Sequence, residues 1–155
     1  MSALAELLAR VEAATGPDAE IDARLHHTLF PDAEVLLDPG DVRTRRPSKR
    51  GALREVSLEG WEDFEGLARH FGAERYSALT DAAFDLAERV LPKFDASHGK
   101  LIWTHGLHSE RTWLCEMRWY RAKGRGATAP LAIVSAIIRA VLARDTASPV
   151  HPQGS

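Results

Sequence analysis

The sequence predicts an α+β fold: a small, mostly antiparallel sheet packed between or against helices, in an α/β/α sandwich-like arrangement. Three observations predict it. Several capped segments repeat apolar residues every three or four positions, the runs LIWTH and TWLCEMRWY alternate with a period of two, and a late segment from 129 to 143 is apolar almost all round. At 155 residues, 45% hydrophobic and 27% charged, the chain is one domain's worth. It is long enough to bury about 68–70% of its unfolded surface without covalent staples. The expected organisation is a single domain over 1–144, with an exposed basic loop over 40–58, and a disordered tail over 145–155.

The first helix is predicted from Leu4, Leu7, Leu8 and Val11, with Glu6, Arg10 and Glu12 between them and Gly16 and Pro17 ending it. Asp18 is placed to cap a second helix with Ile21, Leu25 and Leu29 on its apolar side, stopped by Pro31. VLL at 35 to 37 reads as a short strand, and Val56 and Leu58 as another. Trp61, Phe64, Leu67, Ala68 and Phe71 have helical spacing closed by Gly72. Ser77 is expected to cap the helix ALTDAAFDLAERVLP, whose apolar face carries Leu79, Ala82, Ala83, Leu86, Ala87 and Val90. Strands over 100–104 and 112–120 form a hairpin across GLHSER. Thr128 caps the last helix, where Pro130 sits in the first turn and loses no amide bond. An apolar surface on nearly every side requires that helix to be buried.

Composition excludes several functions. A formal net charge of -2 argues against a nucleic-acid or membrane binder driven by global charge. The longest apolar run, 127 to 138, carries Thr128, Pro130 and Ser135 and stops at Arg139, short of the roughly 20 residues that a bilayer span needs. No secretory signal pattern opens the chain, and its single cysteine, Cys115, has no intramolecular partner. A cytoplasmic location, in a bacterial or phage-infected host cell, is therefore the expectation, with no membrane partner.

Each chemically suggestive group has a plain structural explanation beside the functional one. In a strand, Trp113, Cys115, Met117 and Trp119 share a face apolar enough to be core, so Cys115 reads as a buried structural thiol. Trp103, Trp113 and Trp119 either pack under the helices or form a stacking platform beside Arg118, Arg121, Lys123 and Arg125. His98, His105 and His108 around the hairpin turn lack zinc-ligand spacing, and the adjacent His26 and His27 point about 100° apart on a helix. No metal site and no cofactor is predicted. Asp81 and Asp85 have helical spacing and no neighbouring histidine, so no catalytic constellation emerges.

Two binding candidates remain. RTRRPSKR supplies Arg43, Arg45, Arg46, Lys49 and Arg50, a local charge concentration able to engage nucleic-acid phosphates or an acidic protein surface, or simply a solvated loop. GRGAT, with Gly124, Arg125, Gly126 and Thr128, leads into a helix N-terminus as an anion- or nucleotide-binding loop would, although it matches neither phosphate-loop pattern. A tight connection into a buried helix is the simpler explanation of GRGAT.

The segments LLARVEAATGPDAEIDARL, RYSALTDAAFDLAERVLP, the tryptophan-bearing hairpin and GATAPLAIVSAIIRAVLA, in that order, resemble a family of small phage and prophage proteins described as the phage ABA sandwich domain. The resemblance covers most of the chain and departs from the family between 40 and 75. It implies a phage-related origin and a sheet between helical layers, and it brings no catalytic residues. The function expected is that of a phage- or prophage-type accessory protein, non-enzymatic, binding a host or phage macromolecule. A protein partner is expected. Nucleic-acid binding through 43–50 is one alternative, and binding or sequestering of a small nucleotide is another.

Overall fold

The structure, a computed structural model, describes residues 2–36, 50–91, 99–105, 111–117 and 120–147. In chain order the elements are α1 (Ala3–Ala13), α2 (Ala19–Leu29), β1 (Glu34–Leu36), β2 (Arg50–Ala52), a 3-10 turn (Leu53–Glu55), α3 (Phe64–Phe71), α4 (Thr80–Val90), β3 (Gly99–His105), β4 (Arg111–Met117), β5 (Ala122–Gly126) and α5 (Ala129–Ala147). The fold is α+β, and every strand pairing among the described residues is antiparallel. The chain divides into two compact units, Met1–Asp18 with Arg75–Ser155, and Ala19–Glu74.

In the first unit α5 is the central element. It packs on β5 and β4 and carries α1 and α4 on its other sides. Leu131 to Ile138 are buried without interruption, as the all-round apolar pattern requires. The sheet runs β3-β4-β5, and the register opposes Trp113 with Gly126, Cys115 with Gly124 and Met117 with Ala122. Those six residues share the face toward α5, and Cys115 and Met117 are fully buried there.

β5 is a strand that the sequence pattern did not reveal. Residues 124 to 126 read as part of a loop because they carry two glycines, which weaken a strand wherever no close packing requires them. Here close packing does require them. A Cβ added at Gly124 would overlap Ala136 N and Ala132 O, and one at Gly126 would lie 2.7 Å from both Ala132 N and Leu131 Cβ. The helix backbone thus rests directly on the strand backbone, with Ala132 and Ala136 one helical turn apart at the contact. The larger side chains of β4 fill the remaining space on that face.

The local signals around this unit were mostly readable. Ser2 caps α1 by accepting from Ala5 N at 3.2 Å, and Leu4, Leu7 and Val11 form its buried side. The helix over 80–90 exists, but Ser77 does not cap it. Its Oγ accepts from Asp18 N at 2.8 Å and donates to Asp18 O at 3.1 Å, holding the end of the first chain segment to the start of the second. Leu79 occupies the cap position with no side-chain bond. α4 packs mainly on α5 rather than on the sheet. α5 runs to Ala147, beyond the predicted start of a tail at 145, and Arg144 Nη1 donates to Val90 O at 3.1 Å.

The second unit has its own small core of Ala23, Val35, Leu53, Leu67, Ala68 and Phe71. α3 begins at Phe64, because Asp63 accepts from Gly66 N at 2.9 Å and so caps it. Gly72 ends it in the left-handed region at φ 77°, as the sequence predicted. The predicted strand at 35–37 is present as β1, whereas Val56 and Leu58 follow the 3-10 turn without forming a strand. The predicted loop over 40–58 is corrected at its far end: 50 to 52 pair with β1, and 53 to 55 form the turn. Residues 40–49 lie outside the described residues. His27 Nε2 sits 3.0 Å from Val56 O, and the His26 and Phe30 rings are 4.8 Å apart. Both histidines therefore have structural roles.

The backbone contact under α5 makes a direct prediction. Gly124→Ala should destabilise the protein by about 3 kcal/mol, since the atoms it meets belong to a helix backbone that cannot swing aside. Gly16→Ala, with nothing within 4 Å of the new methyl, should change stability by no more than about 1 kcal/mol. Urea unfolding of the two variants beside wild type measures both.

Candidate functional site

Where α1 ends and β5 leaves the sheet for α5, the first unit has a groove of about 470 Å³. It is lined by residues 12–15 and by Thr112 with residues 125–127. Its charge centre is Glu12, whose side chain is only 14% exposed. Glu12 Oε1 accepts from Ser135 Oγ at 3.0 Å and from Arg139 through both Nε, at 3.0 Å, and Nη2. Its Oε2 lies 3.3 Å from Arg125 Nε. Ser135 Oγ in turn accepts from the Arg125 backbone N–H at 3.1 Å. One carboxylate thereby joins α1, β5 and α5.

Burial opposes ionisation of Glu12. The hydrogen bonds from Arg139 and Ser135, the Arg139 charge and the Arg125 hydrogen bond together outweigh burial and hold the carboxyl below its ordinary value of 4.5. Two guanidinium groups against one carboxylate leave the cluster with one excess positive charge. Arg125 is 66% exposed, and its two terminal nitrogens have no hydrogen-bond partner among the described residues. Four N–H donors at the groove wall are therefore available to a ligand.

The sequence candidates fall differently around this site. Arg125 belongs to it and Gly126 lines it, while Gly124 and Gly126 admit the close approach of α5. Thr128 Oγ1 accepts from Leu131 N at 3.4 Å and so caps its own helix. Arg43, Arg45, Arg46 and Lys49 lie outside the described residues, and Arg50 opens β2. His98, His108, Arg118 and Trp119 also lie outside them. Lys123 faces Glu116 across the sheet at 3.8 Å.

Sequence reasoning missed Glu12, Ser135 and Arg139. A signal was present in α5, where Ser135 and Arg139, four residues apart, put a polar stripe on an otherwise buried helix and call for a buried partner. Nothing in the sequence identified that partner as Glu12, more than 120 residues away.

No family model matches the chain, and no curated protein or solved structure is similar to it. Among the described residues no helix is long and apolar enough to cross a membrane.

Two measurements test this chemistry. Glu12 has a depressed folded pKa, so its stabilisation is complete above the ordinary carboxylate value and is lost as pH falls through the folded one. Glu12→Gln should cost about 1–2 kcal/mol near neutral pH and reduce the loss of stability below about pH 4.5. Unfolding curves across the acid range show whether it does. The second concerns Cys115, fully buried and pushed up to about 12 by burial and then by the adjacent Glu116 charge. It should resist a thiol reagent at pH 8 in the folded protein and react once the protein is unfolded in urea.

Proposed function

We propose that the protein acts by binding a macromolecule, not by catalysis, and that the groove beside Arg125 is where a protein partner is held. The observation that carries this reading is the guanidinium of Arg125, fixed at Nε by Glu12 with its terminal nitrogens toward solvent in a groove of about 470 Å³. That volume falls within the range of ligand pockets, roughly 300–1,000 Å³. Glu12, the one carboxylate lining the groove among the described residues, is held ionised by two arginines and a serine, which suits it to positioning rather than to proton transfer. An arginine guanidinium is also a preferred anchor at protein interfaces.

The resemblance of the segment order to the phage ABA sandwich family supports placing the protein among phage or prophage accessory proteins. A single cysteine held as a buried thiol agrees with a cytoplasmic site of action. The competing reading, nucleic-acid binding through residues 43–50, rests on their charge alone.

Affinity capture from host-cell lysate, run with and without nuclease, separates the two. A partner protein retained by wild type and lost by Ala13→Trp, which fills the groove, is the expected result. Retention by a variant carrying alanine at Arg43, Arg45, Arg46, Lys49 and Arg50 should be unchanged. Capture that vanishes on nuclease treatment and in that five-site variant would replace this reading with the electrostatic one.

A further inference from the structure

We propose that the groove takes the carboxy-terminal end of a polypeptide, with the terminal carboxylate on the two free nitrogens of Arg125 and the preceding amide N–H groups on the carbonyls that end α1. The inference rests on the groove being the binding site and names what enters it.

The two walls of the groove differ in electrical character. On one side Arg125 offers parallel N–H donors from Nη1 and Nη2, the geometry that matches a planar carboxylate. The same groove is lined by the end of α1. Ala14 N–H closes the helix onto Arg10 O at 2.9 Å and Val11 O at 3.3 Å, and the carbonyls of Glu12 and Ala13 have no backbone partner among the described residues. Ala13 and Ala14 have no polar side-chain atoms, so the polar groups they bring to this wall are backbone. A helix C-terminus is acceptor-rich and carries the negative end of the dipole. A ligand filling the groove must therefore present an anion to one wall and N–H donors to the other.

The charge balance narrows the anion. Arg125 and Arg139 share Glu12, which leaves a single excess positive charge. One negative charge is matched. A phosphate dianion would bring a second charge close to the Glu12 carboxylate and the end of α1, where like charge is disfavoured. A carboxylate following an amide N–H is the chain end of any polypeptide, and N-acylated amino acids share that chemistry.

The experiment is a titration of the 15N-labelled protein with acetyl-trialanine, its C-terminal amide, acetyl-alanine and inorganic phosphate, read in amide spectra at millimolar ligand. The free-acid tripeptide should shift the amides of Thr15, Thr112, Gly126 and Ala127. Its amide should bind at least about tenfold more weakly, the loss expected when a hydrogen-bonded charge is removed. Arg125→Ala should weaken the free acid to a similar degree, and Arg125→Lys should restore only part of the affinity, because it keeps charge and loses the fork. The comparison of acid with amide is made on wild type, so it stands even where a variant folds poorly.

Equal binding of acid and amide, or no groove shift with either, would overturn the inference, as would acetyl-alanine binding as tightly as the tripeptide. Phosphate shifting the groove amides when the peptide does not would also overturn it while leaving the groove a binding site. Failure of the broader reading looks different: the lysate partner would then be captured regardless of Ala13→Trp.

Discussion

Where α5 crosses β5, two backbones meet with no side chain between them. β5 contributes glycine at the two positions where α5 crosses it, and α5 contributes Ala132 and Ala136 one turn apart. With no side chain between them, the axis of α5 is set by main-chain atoms, which do not change rotamer and do not compress. The remaining elements of the first unit take their positions from that contact. Cys115 and Met117 on β4 fill the space left beside the helix, α1 and α4 lie against its other sides, and the start of α5 fixes where the chain must leave the sheet.

Such close packing leaves a polar problem at its margin. An edge strand pressed against a helix has amides facing away from its paired neighbour, and α5 must offer them something. Ser135 does so for Arg125, and Glu12 then receives the serine hydroxyl, Arg139 and the Arg125 side chain. The network is satisfied because each member both gives and accepts where its chemistry allows. Its by-product is a guanidinium anchored at one nitrogen and unoccupied at the other two, at the mouth of the groove. The strand that completes the core therefore also presents an exposed guanidinium at the groove.

Much of this was legible in the sequence where the signal is local. Gly72 closing α3, the apolar face of α1 and the all-round apolar surface of α5 are properties of a few neighbouring residues, and each appears as expected. Ser77 shows where local reading fails. It stands where a cap belongs, but its hydroxyl is taken by Asp18, 59 residues earlier. β5 was hidden for a related reason, since a glycine that permits helix contact and a glycine that permits a turn look the same in one dimension. Arg125 was singled out for its place beside glycines. The partner that orients it, Glu12, read as one more solvent-facing charge on an amphipathic helix.

The bond from Arg125 N–H to Ser135 Oγ also bears on strand addition at the margin of the sheet. β5 ends the sheet among the described residues, and a free strand margin is a template on which another chain can add a strand, through crystallisation-like stacking, swapping or fibril growth. At Arg125 that template is closed, because the amide such a strand would need is already held by a helix lying alongside. Exposed Lys123 and Arg125 add like charges that a second copy of the same margin would have to oppose. At the Arg125 position of the sheet margin, one serine hydroxyl occupies the amide that an added strand would need.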